Sequence, residues 1–398
     1  MTAASKRLRL ALIGISGYGR IHLQLAREWR DRGDVEIRAA VVINPEQETE
    51  NIAELQSRGC EIFADYEQML AQHRNQIDLC LIPTGIHWHA RMTVAALNAG
   101  ANVLVEKPLA GSVAEIADVR ATEKRTGRFV AVGFQDVYEE ATNWLHGELR
   151  RGAIGEIQSI RFLGLWPRSR FYFTRNDWAG RLQADGAPVL DSPLNNAFAH
   201  FVMLSLFFGG GASEEDDGVV IEQAELYRAH HIQSFDTSVV SLRTRRGVRL
   251  WFGASHACRE TVEPEIIVQG TEGSASWRYE NEACLQKNGA VSECHVMPDT
   301  NVIRRAMMAA VIAHLSDPSV PICSTGMAAR HTAVIEAIHR AARIREFPPE
   351  MVSWISLPGI EGEVPQVAGL DAALRKAFDE QSSLQGVGFF PVPVSDPH

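Results

Sequence analysis

Several short stretches of this sequence carry side chains and spacings suited to chemistry on a bound ligand. The first is the glycine-rich stretch GISGYG, which lies between an apolar run and a helical pattern. A tight turn of this kind places backbone N–H groups and the positive end of a helix against a pyrophosphate, and glycine is needed where the backbone touches the ligand. The pattern predicts a dinucleotide site formed by Gly14, Ser16, Gly17, Tyr18 and Gly19, with Ser16 in the usual second glycine position.

The second stretch, Val41-Val42-Ile43-Asn44-Pro45, ends the next predicted strand. An acidic residue commonly binds the adenosine ribose at this place. Asn44 can still form a hydrogen bond there, but it lacks the charge that repels a 2′-phosphate, and no arginine stands immediately beside it to bind one. We therefore expect NAD as the cofactor, with NADP as the alternative.

The third stretch, Glu106-Lys107-Pro108, directly follows a strand-like run. Oxidation of a secondary alcohol removes a hydride from carbon and a proton from oxygen, and a cation beside that oxygen stabilises the developing alkoxide. Lys107 can supply this cation, or can accept the proton itself if burial lowers its pKa. The structural alternative is that Glu106 merely forms a surface ion pair.

The elements that must position these residues follow a regular order over about the first 130 residues. Short apolar runs alternate with helical patterns, which predicts a parallel sheet covered on both faces and a doubly wound Rossmann fold. The predicted strands are Leu8–Ile13, Glu36–Ile43, Leu79–Ile82, Asn102–Val105 and Phe129–Val132. The predicted helices include Arg20–Arg30, Thr93–Ala99 and Val113–Arg125.

The pattern changes after Gly133, where a helix near Ala141–Arg150 precedes runs with period-two alternation. Such runs indicate half-buried, mostly antiparallel strands in a second α+β domain. The strands are predicted at Ile157–Trp166, Val219–Arg228, Ser238–Thr244, Val248–Ala254, Glu265–Val268 and Ser274–Tyr279, and helices at Arg304–His314 and Ala328–Arg343. We read Gly209–Gly218 as an exposed loop. The domains are then 1–133, 134–345 and a C-terminal extension, 346–398, expected to lie on the surface as an extended tail with one short helix.

Composition excludes several classes of function. The 398 residues carry a formal net charge of −10 and no long basic run, which argues against a nucleic-acid partner. The sequence contains no stretch of about 18 uncharged apolar residues, so we expect no membrane span. The six cysteines form no C-x-x-C pair, no export signal is recognised, and we expect reduced cysteines and a cytoplasmic location. We see no metal-ligand spacing in the sequence. The adjacent His230 and His231 are a poor metal pair, because neighbouring side chains on a strand point to opposite faces.

Four stretches of the sequence resemble the glucose-fructose oxidoreductase / inositol dehydrogenase / rhizopine-catabolism (Gfo/Idh/MocA) family. They are Gly14–His22, Ile82–His89 (IPTGIHWH), Val105–Leu109 (VEKPL) and Val132–Gln135 (VGFQ). The resemblance implies a Rossmann domain followed by a domain with a large open sheet, and assembly into homodimers or homotetramers through that sheet. It implies hydride transfer between a bound nicotinamide and a carbohydrate or polyol. By position, Thr84 and His87 would lie along the cofactor, with Glu106 and Lys107 near the nicotinamide.

The second domain departs from the family pattern in the stretch Asp191–His200 (DSPLNNAFAH). Asp191 matches the family's aspartate and is expected to contact substrate, although it could instead cap a helix. Asn195 stands where the family has its catalytic histidine, and it cannot take a proton. Lys107 could replace that histidine, or His200 could, since it would lie one helical turn after Asn196 on the same face. Asn195 and Asn196 are candidate substrate ligands.

Arg168 is a further candidate for substrate binding, because it lies among aromatic residues in Trp166–Phe173 (WPRSRFYF). Aromatic rings stack on the CH faces of a sugar and a guanidinium binds its hydroxyls, although such a loop could also simply cover apolar surface. The leading hypothesis is an NAD(P)-dependent oxidoreductase acting on a sugar, sugar derivative or polyol. The alternatives are an NAD-dependent redox-assisted glycosidase and a catalytically silent protein that senses NAD(P) or a sugar.

Overall fold

The computed structural model describes residues 7–210 and 218–390. The chain divides into two compact units. The first unit comprises the described residues of Met1–Phe134 and Arg304–Ala329, and the second those of Gln135–Ile303 and Arg330–His398. The predicted boundary after residue 133 lies beside the first division point, but the sequence did not indicate the return of the chain to the first unit. Most of the predicted Gly209–Gly218 loop, residues 211–217, lies outside the described residues.

The first unit contains a six-stranded parallel sheet with the order β3-β2-β1-β4-β5-β6, as predicted for a Rossmann fold. The strands are β1 Leu8–Ile13, β2 Val35–Val41, β3 Glu61–Phe63, β4 Leu79–Ile82, β5 Asn102–Val105 and β6 Val130–Val132. The central strands β4 and β5 are buried along their whole length, because helices cover both faces of such a sheet.

Two of the helices of this unit begin at a capping side chain. The Asp65 and Ser112 side chains accept the backbone N–H groups of Gln68 and Glu115 and so start two of the helices. The helices are α1 Gly19–Asp31, α2 Thr49–Ser57, α3 Tyr66–Gln72, α4 Ile86–Asn98 and α5 Val113–Thr126. Within residues 7–210 and 218–390, no helix has the length and apolar character needed to cross a bilayer.

The second unit is built on a nine-stranded sheet with the order β16-β15-β14-β13-β7-β12-β11-β10-β17. Neighbouring strands are antiparallel except for β7 with β12 and β10 with β17, which confirms the predicted, mostly antiparallel sheet. The strands are β7 Ile157–Leu165, β10 Val219–Arg228, β11 Thr237–Thr244, β12 Arg249–Ser255, β13 Val262–Gly270, β14 Gly273–Arg278, β15 Glu282–Lys287, β16 Ala290–Val296 and β17 Ile344–Glu346. Two small hairpins are formed by β8 Gln183–Ala184 with β9 Ala187–Pro188, and by β18 Val352–Ser356 with β19 Glu363–Val367.

The helices of this unit are α6 Glu140–Arg150, α7 Arg170–Thr174, α8 Ala199–Gly209 and α11 Leu370–Glu380; α9 Thr300–His314 and α10 Thr325–Ala341 each run from one unit to the other. Residues of β12 alternate between the sheet's two faces, and α8 and α11 pack on opposite faces. The prediction of an extended surface tail was therefore wrong, because Leu370, Leu374 and Ala377 of α11 are fully buried.

The prediction that every cysteine is reduced was also wrong. Cys284 and Cys294 form a disulfide, because the antiparallel register of β15 and β16 places them directly opposite each other. The sequence could not show this pair, since neither strand was recognised. The other four cysteines are unbridged and buried, and burial raises the pKa of the Cys60 and Cys80 thiols to about 12. The cytoplasmic location remains a prediction.

Candidate functional site

The turn after β1 has the backbone shape that a dinucleotide needs. Gly14 and Gly17 have φ of +94° and +55°, in the left-handed region that glycine tolerates. A Cβ added to Gly19 would lie 2.8 Å from the Gly14 carbonyl oxygen, so only glycine lets α1 begin this close to the turn. Tyr18 is partly exposed, and the Arg304 guanidinium lies 5.6 Å from its ring centroid. The turn and the helix start fit a pyrophosphate.

A polar network connects this turn to the segment after β2. The Ser16 hydroxyl donates to Asn44 Oδ1 at 2.8 Å, and Asn44 Nδ2 donates to Gln47. The Glu48 carboxylate, whose side chain is 1% exposed, pairs with the largely exposed Arg20 at 3.0 Å. Sequence reasoning did not single out Glu48, because acidic residues that bind the ribose are normally sought at the end of the strand and Glu48 lies beyond it.

The environment of Glu48 favours the charged form. Burial acts to raise the pKa of this carboxyl, but hydrogen bonds from Asn51 and Arg20 outweigh burial and hold the pKa below its ordinary value. Glu48 therefore carries a negative charge at neutral pH, next to the turn.

The Glu106-Lys107-Pro108 stretch follows β5 and is fixed from within the first unit. Glu106 is 5% exposed, its Oε1 pairs with His22 Nε2 at 2.8 Å, and its Oε2 accepts the Lys107 N–H. A Cβ on Gly133 would lie 2.7 Å from Glu106 Oε1, so glycine makes room for the carboxylate. The alternative of a surface ion pair is therefore wrong, and Glu106 positions the backbone of Lys107.

The loop after β4 carries Thr84 and His87. The Thr84 hydroxyl donates to Met92 Sδ at 3.5 Å, and His87 is buried in the first turn of α4 against the Trp88 ring. His89, which sequence reasoning missed, contacts the carbonyl oxygens of Thr84 and Pro108 through its two ring nitrogens at 2.9 and 2.6 Å. His89 thus joins the two loops that bear the predicted cofactor and catalytic residues. Burial lowers the pKa of its imidazole.

In the second unit, Asp191 is buried and held on both carboxylate oxygens. Its Oδ2 accepts the Gly180 N–H at 2.6 Å and its Oδ1 accepts the Asn196 amide at 2.9 Å. Asn195 is 2% exposed, and its amide group donates to the carbonyl oxygens of Val189 and Leu190. Asn196 thus orients Asp191, whereas Asn195 fixes the loop that carries it.

The suggestion that Asp191 caps a helix was wrong, as was the placement of Asn196 on the helix of His200. Helix α8 begins at Ala199 and its N-cap position is Phe198, because the preceding residues form turns. His200 is 2.8 Å from Asp136 through Nδ1 and is mostly buried. The structure therefore brings His200 to Asp136, not one helical turn above Asn196.

Arg168 lies among aromatic and histidine side chains of the same unit. Its guanidinium is 5.6 Å from the Trp166 ring centroid and 5.0 Å from that of Tyr172. Sequence reasoning did not identify His256. Its Nδ1 lies 2.8 Å from the Trp166 carbonyl oxygen, and because a carbonyl oxygen only accepts, Nδ1 carries the proton and donates it. Burial and the charge of Arg168 hold the pKa of His256 well below its ordinary value, so this imidazole is neutral at neutral pH.

A second histidine supports the Arg168 loop. His230 contacts Asp236 Oδ2 through Nδ1 at 2.7 Å and the Arg168 carbonyl oxygen through Nε2 at 3.0 Å. Asp236 is fully buried, so His230 is held from both sides and fixes the backbone of the loop. The sequence interpretation of His230 as part of an unsuitable metal pair missed this partner, which lies six residues along the chain.

Comparisons with known proteins concern the family and the fold of the chain. Residues 9–134 match the family model described as "Oxidoreductase family, NAD-binding Rossmann fold" (GFO_IDH_MocA). The first unit thus contains a nicotinamide dinucleotide-binding Rossmann domain, as predicted. Over residues 9–134 this match confirms the resemblance to the Gfo/Idh/MocA family seen in the sequence.

Curated relatives align over part of their length. A dTDP-3,4-didehydro-2,6-dideoxy-alpha-D-glucose 3-reductase of Streptomyces violaceoruber is 30% identical over 134 residues, which are 33% of this chain and 37% of that protein. An inositol 2-dehydrogenase of Pseudomonas fluorescens is 29% identical over 150 residues, 37% of this chain and 43% of that protein. The chain thus spans less than half the length of these relatives.

Solved structures extend the likeness of fold across both units. The 3-ketoreductase KijD10 of Actinomadura kijaniata, in complex with NADP and TDP-benzene, has a TM-score of 0.68 at 18% identity, covering 86% of this chain and 100% of that one. The WlbA dehydrogenase of Bordetella pertussis, in complex with NADH and UDP-GlcNAcA, has a TM-score of 0.68 at 20% identity, and the match covers 85% of this chain and 97% of that one. At these identities the comparison shows the fold.

Proposed function

We propose that this protein is an NAD(P)-dependent oxidoreductase that interconverts a secondary hydroxyl and a ketone on a sugar, sugar derivative or polyol. The observation that carries the proposal is Lys107, whose backbone is fixed by the buried Glu106 at the end of β5 in an NAD-binding Rossmann domain. The nicotinamide, when bound, accepts or donates the hydride. Lys107 stabilises charge on the reacting oxygen or takes its proton.

The substrate class rests on the residues of the second unit. A buried carboxylate, Asp191, binds a hydroxyl, and the Arg168 guanidinium with Trp166 and Tyr172 offers donors and ring faces to a sugar. Both neighbouring structures were solved with a sugar nucleotide or a nucleotide analogue, and the two curated relatives described above are a reductase of a dTDP-linked sugar and an inositol dehydrogenase. His200 pairs with Asp136 through Nδ1, and a carboxylate partner of this kind orients an imidazole for proton transfer, so His200 stays a candidate for that role beside Lys107.

One experiment separates this activity from the alternatives. The purified protein is incubated with NAD or NADP and a panel of polyols, sugars, sugar nucleotides and glycosides, while NADH absorbance and release of free sugar are followed together. We expect reduced cofactor to accumulate with at least one polyol or sugar. Sugar release without net reduced cofactor would indicate the redox-assisted glycosidase. Cofactor binding without either signal would indicate a sensor.

We further propose that NAD is preferred over NADP, because the charged Glu48 lies beside the turn, where it would repel a 2′-phosphate, and already engages the Arg20 side chain. Replacing Glu48 with Gln should remove the repulsion and release Arg20. Charges near a protein surface interact by about 1 kcal/mol or more, so the ratio of NADP to NAD dissociation constants should fall roughly three- to tenfold.

Isothermal titration with both cofactors measures that ratio. The matched control is Glu50→Gln, which removes an exposed carboxylate from the first turn of α2, the helix that Glu48 directly precedes, and should leave the ratio unchanged. An unaltered ratio in Glu48→Gln would remove Glu48 from cofactor selection.

A further inference from the structure

The segment after β7 places two arginine guanidiniums against one tyrosine ring. The Arg168 guanidinium lies 5.0 Å from the Tyr172 ring centroid, and the Arg175 guanidinium lies 3.7 Å from the same centroid. Arg175 also lies 5.5 Å from the Trp178 ring centroid. A guanidinium that rests on an aromatic face keeps a fixed plane, and the N–H groups on its edge stay available to an acceptor. We call Arg168, Tyr172 and Arg175 the Arg–Tyr cluster.

The two positive charges of the cluster are not balanced by a carboxylate of the chain. Within residues 7–210 and 218–390, neither guanidinium forms an ion pair, and Arg175 donates only to the Tyr172 carbonyl oxygen and the tyrosine side chain. The Nε of Arg168 is buried and has no hydrogen-bond partner among the same residues. Buried donors in proteins are nearly always satisfied. The cluster therefore calls for an acceptor that the described chain does not supply.

The backbone that carries the cluster is fixed on both sides. The Arg168 N–H donates to the His256 carbonyl oxygen at 3.1 Å, and His230 Nε2 lies 3.0 Å from the Arg168 carbonyl oxygen. At the other end of the segment, the Asn176 side chain accepts the Ala179 N–H at 2.7 Å. Groups that are already held in place lose little entropy when a ligand binds them.

The cluster lies beside the buried carboxylate of Asp191. Burial raises the pKa of the Tyr172 hydroxyl, and the charges of both guanidiniums and of Asp191 also act on it, which requires that these groups lie close together. Gly180, whose N–H binds Asp191, packs against Phe173, since a Cβ on this glycine would lie 3.1 Å from Phe173 Cδ1. A substrate that is bound by Asp191 through a hydroxyl can therefore reach the cluster with a second group.

We propose that Arg168 and Arg175 bind an anionic substituent of the substrate, a carboxylate or a phosphate, and that the substrate is an acidic sugar derivative. This inference rests on the proposed function of the same site and narrows its substrate class. Carboxylates and phosphates accept two N–H groups from one guanidinium fork and balance its charge, whereas a neutral hydroxyl does not. Tyr172 holds the two guanidiniums apart and in place.

The first test measures binding by the unaltered full-length chain. Nine probes are used at saturating NAD and then NADP: glucose, galactose and mannose, each as the neutral hexose, the hexuronate and the hexose 6-phosphate. For at least one configuration, isothermal titration should show an anionic probe that binds about tenfold or more tightly than its neutral hexose. The uronate and the 6-phosphate distinguish the two kinds of anion. The proposal is overturned if no anionic probe binds, or if each neutral hexose binds as tightly as its anionic counterparts.

Absorbance of the reduced cofactor, followed with the same probes, separates this inference from the proposed function. A preference for anionic probes without any turnover would support the role of the cluster and contradict the oxidoreductase activity. Turnover without a preference for anionic probes would support the activity and overturn the role of the cluster.

The second test compares three substitutions in the same segment. Arg168→Gln and Arg175→Gln each remove one charge of the cluster, and each should weaken the binding of the preferred anionic probe about tenfold while leaving the neutral hexose nearly unchanged. The matched control is Arg170→Gln, because Arg170 is exposed and its guanidinium lies 4.1 Å from the Trp354 ring centroid instead. An equal loss in the control would indicate a general effect of charge and overturn the proposal. If Arg168→Gln does not fold, the exposed Arg175 decides.

Discussion

Replacing Lys107 with Ala is expected to abolish turnover while leaving the affinity for NAD nearly unchanged. A positioned group that stabilises charge or moves a proton in the transition state contributes about 10²–10⁴-fold, so kcat should fall by at least that range. The affinity should persist because the glycine turn of Gly14–Gly19 and the Glu106–His22 pair are untouched. Stopped-flow absorbance at saturating substrate and a cofactor titration measure the two quantities.

Two further variants sharpen this result. Lys124→Ala removes an exposed lysine from the last turn of α5 and should behave as the unaltered protein. Lys107→Arg retains a cation that cannot release its proton near neutral pH, so partial activity would assign Lys107 an electrostatic role and inactivity a proton-transfer role. Retained turnover in Lys107→Ala would remove this residue from the mechanism.

Replacing Asp191 with Asn is expected to have the second-largest effect. The carboxylate accepts the Gly180 N–H and the Asn196 amide, and an asparagine would turn an N–H₂ group toward one of these donors. Loss of the charge and displacement of the side chain should lower kcat/KM by about 10²-fold or more. Leaving one buried donor without its acceptor should lower the free energy of unfolding by about 1–3 kcal/mol.

Steady-state kinetics and denaturant unfolding separate the two effects. The control is Asn196→Ala, which removes a donor to Asp191 but keeps the carboxylate and its bond to Gly180. This variant should lose less kcat/KM than Asp191→Asn. If Asp191→Asn destabilised the protein but kept its kcat/KM, Asp191 would be a structural residue only.

Strands with continuous burial or strict alternation were predictable from the sequence. The bounds of β1, β4 and β5 agree with the apolar pattern, because that pattern follows directly from burial on one or both faces. Helix α8, Ala199–Gly209, was missed because it is apolar all round and shows no helical period. The short elements α2, β3 and α3 were missed because charged and polar residues interrupt their patterns.

Residues of the candidate site were predictable only where the residue type or its motif is itself typical of a function. Lys107 and the glycine turn were found in this way. Glu48, His22 and His256 were not, since their importance depends on partners that the fold brings near: Arg20 for Glu48, Glu106 for His22 and the Trp166 carbonyl for His256. Likewise, Asn195 and Asn196 are adjacent in sequence but bind different groups.

The division of the first unit into two chain segments bears on how the protein can be produced and dissected. The last strand of its sheet, β6, donates the Val132 N–H to the Cys323 carbonyl oxygen, and Glu123 accepts the Thr325 hydroxyl. Arg305 pairs with Glu28 in the same unit. A ribosome that has released only residues 1–134 has therefore not yet supplied these partners. In a recombinant fragment that ends at Phe134, the Val132 N–H and the Glu123 carboxylate would lack these hydrogen-bond partners. A separately produced domain should therefore include residues 304–329.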